Sequence, residues 1–276
     1  MVPRELIEIK NLRVAYGSPP RPVLDCIDLS ITEGEFVCVL GQTGCGKSTL
    51  LRMVLGSERP ARGRILIDGN EHRQPDCTRG YVPQKYSLFP DKTVLDNITF
   101  GPEVMEFGLF ARLRPDYYQR RRELRAQAYD YLDRIGLRKD DALKYPDQLS
   151  GGMQQRVAIA QALMTQPRIL LMDEAFSALD AGTRRGMQGL IRELWRATGT
   201  TILFVTHNMQ EALAMGTRII VLAKESPDLG SCVALDLQAP YGDDHVRRLE
   251  RIVLYESGAF TSPAEVRTDE ARAAIS

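Results

Sequence analysis

The stretch that decides the fold is Gly41-Gln42-Thr43-Gly44-Cys45-Gly46-Lys47-Ser48-Thr49, which has the spacing G-x-x-x-x-G-K-S. A short apolar run, residues 36–40, precedes it, and a helix-like segment continues from Leu50. Strand, loop and helix in this order are the setting in which such a spacing forms a phosphate-binding loop. Glycines permit the backbone conformations that turn successive N–H groups inward, and the N-terminus of the helix adds the positive end of its dipole. The stretch therefore predicts a site for the phosphates of a nucleotide.

Two side chains of this loop are expected to act on the phosphates and on their metal ion. The ammonium group of Lys47 would reach the β- and γ-phosphates, and the hydroxyl group of Ser48 would take one coordination position on Mg²⁺. Cys45 is expected to be an inert small residue or, as the alternative, a reactive thiolate favoured by the loop amides and Lys47. The remaining candidate nucleotide contacts in the loop are Gly41, Gln42, Thr43, Gly44, Gly46 and Thr49. Phosphate binding alone leaves kinases, GTPases and ATPases open.

Length and composition narrow the class of protein. The 276 residues suffice for one large α/β domain with a helical insertion. Lysine plus arginine and aspartate plus glutamate both number 36, so no basic excess attracts nucleic acid. No run of about 18 apolar residues predicts a membrane span, and the first residues lack an apolar signal region, so we expect a cytoplasmic protein. The five scattered cysteines are predicted to be free thiols in a reducing compartment.

Alternation of apolar and polar residues predicts three antiparallel N-terminal strands, at residues 6–9, 12–16 and 26–31. Further along, a brief strand ends at Gln84, and two continuous apolar runs end at Asp173-Glu174 and at His207. Helical stretches separate the two apolar runs, so the core is predicted to be a mostly parallel sheet. Ligands of such sheets collect at the carboxyl ends of the strands. The acids and the histidine are therefore expected at the same edge as the phosphate loop. Gln84 is either a solvated loop residue or a ligand of Mg²⁺ or water.

Residues 100–149 have a helical pattern. A helix is predicted to start at residues 115–116, to repeat apolar side chains at helical spacing and to stop at Gly136. The block also carries Arg112, Arg114, Arg120, Arg121, Arg122 and Arg125. These arginines predict a solvated helix face or, as the alternative, a surface for a partner or for lipid headgroups. Near the C-terminus, residues 232–237 alternate like an edge strand, residues 244–255 predict a short helix, and the last dozen residues are expected to fray.

The segment Leu149-Ser150-Gly151-Gly152-Met153-Gln154-Gln155-Arg156 resembles the signature motif of ATP-binding cassette (ABC) ATPases. The resemblance spans roughly residues 5–225 and contains the other motifs of that family in order. It implies that Tyr16 stacks on adenine, Gln84 is the Q-loop glutamine, Asp173 and Glu174 form the Walker B pair, Asp180 ends the D-loop and His207 is the switch histidine. Ala175 stands where importer cassettes commonly carry proline, and alanine is expected to loosen that turn slightly.

The resemblance implies a fold and a chemistry. The expected fold is a P-loop NTPase core with a mostly parallel sheet, an N-terminal antiparallel β subdomain and a helical subdomain inserted at about 100–165. Residues 1–225 would form the ATPase domain and residues 226–276 a short C-terminal extension. The cofactors would be ATP and Mg²⁺, with metal ligands Ser48, Gln84 and Asp173 and catalytic residues Glu174, His207, Lys47 and Gln84. Nucleotide contacts outside the loop would come from Tyr16, Ser150, Gly151, Gly152 and Asp180.

The resemblance also implies partners. Ser150-Gly151-Gly152 opens a helix and is therefore a second anion-binding end, which in this family closes over the ATP of a second subunit. The expected unit is a homodimer, or a dimer with a second ABC ATPase subunit. This dimer would dock through coupling helices on an integral membrane permease at the inner face of the cell membrane, and would act indirectly with a periplasmic solute-binding protein. Residues 152–156 and 180–184 look like the nitrate, sulfonate and taurine importers. A lipid or solvent exporter subunit, or a soluble ABC ATPase without a transporter, stays open, whereas a P-loop kinase or GTPase and a nucleic-acid partner are not expected.

Overall fold

A computed structural model describes residues 4–72, 74–85, 88–107, 116–224, 226 and 228–255. The chain divides into two compact units, one formed by residues 1–75 with 201–276 and the other by residues 76–200. In the described part of the chain, none of the helices combines the length and the hydropathy that a bilayer crossing requires.

The first unit contains a large sheet and the segment that carries the phosphate loop. Its described elements, numbered in the order of the whole chain, are β1 (Glu5–Tyr16), β2 (Arg21–Thr32), β3 (Phe36–Leu40), α1 (Lys47–Leu55), β4 (Arg62–Ile67), β5 (Asn70–Glu71), β8 (Thr201–Val205), α6 (Met209–Met215), β9 (Arg218–Lys224), β10 (Ser231–Gln238) and α7 (Asp243–Tyr255).

The second unit lies in the sequence between the two segments of the first unit. It contains β6 (Arg79–Val82), α2 (Val94–Phe107), α3 (Tyr117–Arg134), short 3₁₀ helices at Lys139–Leu143 and Pro146–Gln148, α4 (Gly151–Met164), β7 (Ile169–Asp173) and α5 (Ala181–Thr198). The elements β8 to α7 of the first unit follow α5 in the sequence.

The strands of the first unit follow the order β5-β4-β1-β2-β10-β9-β3-β8. Strand β3 runs parallel to both β8 and β9, and all five of its residues are buried. A strand covered on both faces has no reason to alternate, which explains its continuous apolar sequence. Strands β1, β2, β4 and β5 pair antiparallel with one another. The predicted combination of a parallel core with an antiparallel N-terminal region is therefore correct.

Two strand predictions were wrong in detail. The runs 6–9 and 12–16 belong to one strand, β1, because the chain passes through a bulge in which Asn11 has a φ of 47° and the register shifts between Ile9 and Leu12. A bulge inserts a residue and changes the side-chain alternation without ending the strand. Residues 232–237 lie in β10, which is not an edge strand: it pairs with β9 on one side and bridges β2 on the other.

The helices of the second unit pack against one another, and α3 begins and ends where the sequence predicts. It ends at Arg134, and Gly136 follows with a φ of 66°, a left-handed conformation that glycine adopts without strain. The arginines of α3 lie on a face that is open to solvent, as predicted: Arg122 is exposed, and Arg120 and Arg125 are partly exposed. The alternative, a surface for a partner, stays a prediction. Arg120 pairs with Glu106 at 2.7 Å, and Arg125 pairs with Asp96 at 2.6 Å, so their charges are used against α2. Arg112 and Arg114 lie outside the described residues.

The C-terminal helix is also confirmed. Helix α7 spans Asp243–Tyr255, and its residues Leu249 and Ile252 are buried. Apolar side chains three residues apart lie on one face of a helix, so one face of α7 is buried. The predicted fraying of the last dozen residues lies outside the described part of the chain.

Candidate nucleotide site

The phosphate loop joins β3 to α1 within the first unit, as predicted. Helix α1 begins at Lys47 after Gly46, whose φ is 98°, and the Leu50 N–H donates to the Gly46 carbonyl at 2.8 Å. A Cβ atom on Gly46 would lie 2.7 Å from Cδ2 of Leu24, so this position has neither the backbone conformation nor the space for a side chain. The glycine therefore lets the N-terminus of α1 approach the side chains of β2 closely.

Lys47 is buried within the loop. Its Nζ donates hydrogen bonds to the carbonyl oxygens of Gly41 at 2.6 Å and Gln42 at 2.7 Å, and its relative exposure is 5%. An ammonium group has three N–H donors, and these two contacts hold its charge inside the loop. Lys47 is thus positioned as a fixed point charge beside the backbone that would bind phosphate.

The other loop residues differ in exposure. Gln42, Thr43 and Gly44 are exposed, whereas Cys45 and Thr49 are buried and Ser48 is half-buried. Because exposed backbone in a glycine-rich loop before a helix is accessible to an anion, these positions remain suited to phosphate contacts.

His207 lies at the same edge of the sheet as the phosphate loop. Strands β3 and β8 are parallel, Val39 is paired with Val205, and the Thr206 N–H donates to the Val39 carbonyl at 3.2 Å. The phosphate loop follows the carboxyl end of β3 and His207 follows the carboxyl end of β8, and ligands of parallel sheets bind at these ends. The structure therefore brings the exposed His207 to the edge where the sequence placed it.

A buried polar pair that the sequence analysis missed supports the histidine segment. The Thr206 hydroxyl donates to Oε2 of Glu211 at 2.7 Å and accepts from the Asn208 N–H at 3.0 Å. The Asn208 side chain in turn caps α6 by accepting from the N–H of Gln210 at 2.9 Å. His207 thus stands between two residues that are held by hydrogen bonds. Threonine directly after a buried strand was the signal available in the sequence.

Tyr16 ends β1 in the first unit and keeps 42% of its surface exposed. Its hydroxyl group hydrogen bonds to Oε2 of Glu58. Partial burial, reinforced by the carboxylate of Glu58, raises the pKa of Tyr16, so the phenol keeps its proton at neutral pH. The exposed ring is available for stacking, while the hydroxyl group is anchored.

The second unit brings Gln84 and Glu174 together. Strands β6 and β7 are parallel, with Val82 paired to Met172, and each is followed by one of these polar residues. Nε2 of Gln84 donates to Oε2 of Glu174 at 2.8 Å. Asp173, the last residue of β7, is only 4% exposed. The arrangement places one half-buried and one buried carboxylate at the end of β7, with an amide held against the first.

The signature segment begins α4. Ser150 is the N-cap, its hydroxyl oxygen accepts from the Met153 N–H at 3.3 Å, and Gly151 and Gly152 occupy the first turn. Nη1 of Arg156 donates to the carbonyl of Ile135 at 2.9 Å, which ties α4 to the end of α3. The glycine-rich helix N-terminus that the sequence predicts is therefore present, and its binding of an anion stays a prediction.

Asp180 has a contact that the sequence analysis did not anticipate. It is the N-cap of α5, and its Oδ1 accepts from the N–H groups of Gly182 at 3.1 Å and Thr183 at 3.0 Å. Hydrogen bonds from Thr183 and Gly182 lower the pKa of Asp180, because they stabilise its charged form. The pattern of an aspartate before a helical run was the signal that could have revealed this cap.

Each unit thus carries part of the predicted set. The first has Tyr16, the phosphate loop with Lys47 and Ser48, and His207. The second has Gln84, Asp173, Glu174, Ser150, Gly151, Gly152 and Asp180.

Comparison with known proteins identifies the family. A model of the ABC transporter family matches residues 24–177, more than half of the chain. The chain belongs to the ABC transporter family. It is 44% identical over 211 residues to the taurine import ATP-binding protein TauB of Rhizobium johnstonii, covering 76% of this chain and 74% of that protein. It is 38% identical over 275 residues to the aliphatic sulfonates import ATP-binding protein SsuB 1 of Burkholderia cenocepacia, covering 98% of this chain and 79% of that protein.

A solved structure supports the same assignment. The dimeric post-hydrolysis state of an ATP-binding cassette bound to ADP and Pi aligns with a TM-score of 0.72 at 30% identity, covering 86% of this chain and 100% of that one. The predicted family, the ABC ATPase fold and the ATPase activity are therefore confirmed. The ABC ATPase binds ATP, and the exporter alternative is not favoured by the importer relatives.

Proposed function

We propose that this ABC ATPase is the ATP-hydrolysing subunit of an importer for a small solute, of which taurine, other organic sulfonates and nitrate are the candidates. The observation that carries the catalytic part is the hydrogen bond of 2.8 Å between Gln84 and Glu174 at the ends of two parallel strands. The relatives named above support the sulfonate and taurine class, and the alignment with the sulfonate protein extends over 98% of the chain.

In the proposed reaction, Glu174 orients a water molecule and accepts its proton. The water oxygen attacks the γ-phosphorus, the bond from that phosphorus to the bridging oxygen of ADP breaks, and phosphate and ADP leave. A general base contributes about 10²- to 10⁴-fold to such a step. The loop amides and Lys47 position the phosphates, and His207 donates a hydrogen bond to the γ-phosphate. The half-buried position of Glu174 at the end of β7 supports access of water to its carboxylate.

The residues proposed as Mg²⁺ ligands fit the chemistry of that ion. Mg²⁺ prefers oxygen ligands, and Ser48, Gln84 and Asp173 offer a hydroxyl, an amide oxygen and a carboxylate. Because the amide nitrogen of Gln84 is used in donating to Glu174, its oxygen is the atom left to act as a ligand. The bound ion would neutralise charge that develops on the phosphates.

Dimerisation completes the proposed site. Ser150, Gly151 and Gly152 would contact the ATP held by a second ATPase subunit, with Asp180 beside them, and the N-terminus of α4 supports an anion there. The second subunit is another copy of this chain or a different ABC ATPase. The similar cassette bound to ADP and Pi is described as dimeric, which supports this arrangement.

The permease is proposed to dock on the second unit through its coupling helices. Phe89 is 37% exposed, Leu143 is 70% exposed and Tyr145 is 44% exposed, so this unit presents large apolar side chains to solvent. Such exposed groups are typical of interaction sites when they cluster. The solute-binding protein would act through the permease only, and the ATPase would sit on the inner face of the membrane. The ATPase domain is proposed to span 1–225, with its helical subdomain at about 100–165 and a C-terminal extension at 226–276.

The first experiment tests Glu174. We expect Glu174→Gln to bind ATP normally, to lose about 10²- to 10⁴-fold in turnover, and to accumulate as a nucleotide-bound dimer in size-exclusion chromatography. Glu193→Gln, an exposed position on α5, is the matched control and should behave like the wild type. Full turnover of Glu174→Gln would disprove the assignment of the general base.

The second experiment tests the solute. The ATPase reconstituted with its permease and binding protein should hydrolyse ATP faster when taurine, an alkanesulfonate or nitrate is added. Stimulation by a lipid instead, with no response to these solutes, would favour the exporter alternative.

A further inference from the structure

Four side chains of the first unit form a continuous chain of polar contacts beside the phosphate loop. The Tyr16 hydroxyl hydrogen bonds to Oε2 of Glu58, and Oε1 of Glu58 pairs with Nε of Arg52 at 2.9 Å. Nη2 of Arg52 donates to Oγ1 of Thr49 at 3.2 Å. We refer to Tyr16, Glu58, Arg52 and Thr49 as the tyrosine ring network.

This network links the two parts of the proposed ATP site. Tyr16 ends β1, whereas Thr49 lies in the first turn of α1, two residues after Lys47. Glu58 follows the end of α1, where the Gly56 N–H donates to the Arg52 carbonyl at 3.1 Å and the Ser57 N–H donates to the same carbonyl at 3.2 Å. Thr49, Arg52 and Glu58 are therefore held by the helix that follows the phosphate loop, whereas Tyr16 is held by β1.

The network restrains Tyr16 through its hydroxyl group and leaves the ring accessible. The tyrosine is 42% exposed, and the side chains of Arg52 and Glu58 are 41% and 31% exposed. Single contacts at this exposure are weak, but groups in a network with fixed geometry reinforce one another. A side chain that is already ordered in the free protein loses no rotamer entropy when a ligand binds, so binding does not bear that cost.

We propose that Glu58, Arg52 and Thr49 are positioning residues that hold the Tyr16 ring at a set place relative to the phosphate loop, so that the base and phosphate contacts are aligned before the nucleotide binds. The inference rests on the proposed function of Tyr16 as the residue that stacks on adenine. It assigns a role to the tyrosine hydroxyl, which stacking alone does not require.

The consequence is a selective effect on ligands that carry both a base and phosphates. ADP contacts Tyr16 and the loop, whereas pyrophosphate contacts the loop alone. Loss of the network should therefore weaken ADP binding and leave pyrophosphate binding unchanged. The expected loss is about two- to tenfold in Kd, which corresponds to ordering one additional side chain on binding.

The experiment compares the Kd values of MgADP and magnesium pyrophosphate by calorimetry, since neither ligand is turned over. Tyr16→Phe keeps the aromatic ring and removes the hydroxyl group, and Tyr16→Ala removes both. Glu58→Ala removes the acceptor, while Glu58→Gln keeps an oxygen acceptor for the tyrosine. Unfolding midpoints without ligand show whether each variant is folded.

We expect Tyr16→Phe and Glu58→Ala to weaken ADP alone by similar factors, and Glu58→Gln to recover most of the loss. The double variant Tyr16→Phe with Glu58→Ala should lose no more than either single variant, because both changes open the same network.

Three results would overturn the inference, and each has a different meaning. If Tyr16→Phe binds ADP like the wild type while Tyr16→Ala does not, the ring stacks but the network has no positioning role. If ADP and pyrophosphate weaken together, the network supports the loop structurally. If Tyr16→Ala leaves the ratio of the two Kd values unchanged, Tyr16 does not contact the base, and that part of the proposed function fails as well.

Discussion

The substitution Gly41→Ala tests how closely the phosphate loop is packed on the sheet. A Cβ atom at Gly41 would lie 2.4 Å from the carbonyl oxygen of Leu222 and 2.6 Å from Sγ of Cys45. Leu222 lies in β9, where it pairs with Val233 of β10, while the neighbouring Val221 pairs with Leu40 of β3. The carbonyl therefore cannot retreat without breaking a strand ladder. The loop itself has to move.

The magnitude follows from two contributions. Gly41 has a φ of 149°, and an alanine held in such a conformation costs roughly 1–3 kcal/mol. The overlap with fixed backbone adds roughly 1–3 kcal/mol, as for other overpacked sites. Gly44 is the matched control, since it belongs to the same loop and has a φ of 84°, and a Cβ atom added there would meet no other part of the described chain within 4 Å. Gly44→Ala should therefore cost only the backbone strain, roughly 1–2 kcal/mol.

The assay is urea unfolding together with titration of MgATP for both variants. We expect Gly41→Ala to be the less stable protein and to lose nucleotide binding, because the loop relieves the overlap by leaving its phosphate-binding conformation. Gly44→Ala should bind MgATP more weakly than the wild type but measurably. Equal stability and equal affinity of the two variants would refute the argument from close packing.

Two further predictions concern polar contacts that the structure revealed. Thr206→Val removes the hydroxyl that donates to the buried Glu211 and should lower the free energy of unfolding by about 1–3 kcal/mol. Thr206→Ser keeps a hydroxyl group and should therefore keep most of that stability. Equal unfolding midpoints for the two variants would contradict this prediction. Because hydrogen bonds lower the pKa of Asp180, the stability from its charge is complete above the pKa of the unfolded aspartate and is lost as the pH falls through the lowered folded value. The stability difference between the wild type and Asp180→Asn should therefore shrink in acid, and a difference that does not vary with pH would show that the charge makes no contribution.

The sequence predicted the elements whose signals are local. Three elements can be recognised from about twenty residues of sequence each: the apolar run of β3, the phosphate loop and helix α3. The signals are hydrophobic periodicity, glycine positions and capping patterns. The ends of β3 and β8 could be placed at one edge because parallel strands share a direction. Their pairing through Val39 and Val205 agrees with that reasoning.

What the sequence did not predict depends on distant partners. The alternation of β10 is the same for an edge strand and for an interior one, and only its partners in β2 and β9 decide between them. The partner of Tyr16 is Glu58, 42 residues away, and no spacing rule connects the two. The ion pairs of the α3 arginines could not be predicted for the same reason, since their acidic partners Glu106 and Asp96 lie on α2.

The turn after β7 holds Glu174, the proposed general base, with alanine where importer cassettes commonly carry proline. Glu174 has a φ of 46°, a left-handed conformation that costs a residue with a side chain about 1–2 kcal/mol. Its neighbours Ala175 and Phe176 are 0% and 1% exposed, and burial of a phenylalanine side chain stabilises by about 1.5–3 kcal/mol. The Ser177 N–H also donates to the Glu174 carbonyl at 3.0 Å, which closes the turn. Burial of the apolar pair and the turn hydrogen bond offset the backbone strain at Glu174, whose carboxylate accepts a hydrogen bond from Gln84. The slight loosening expected from alanine at position 175 stays a prediction, because it concerns the difference from a proline at the same position.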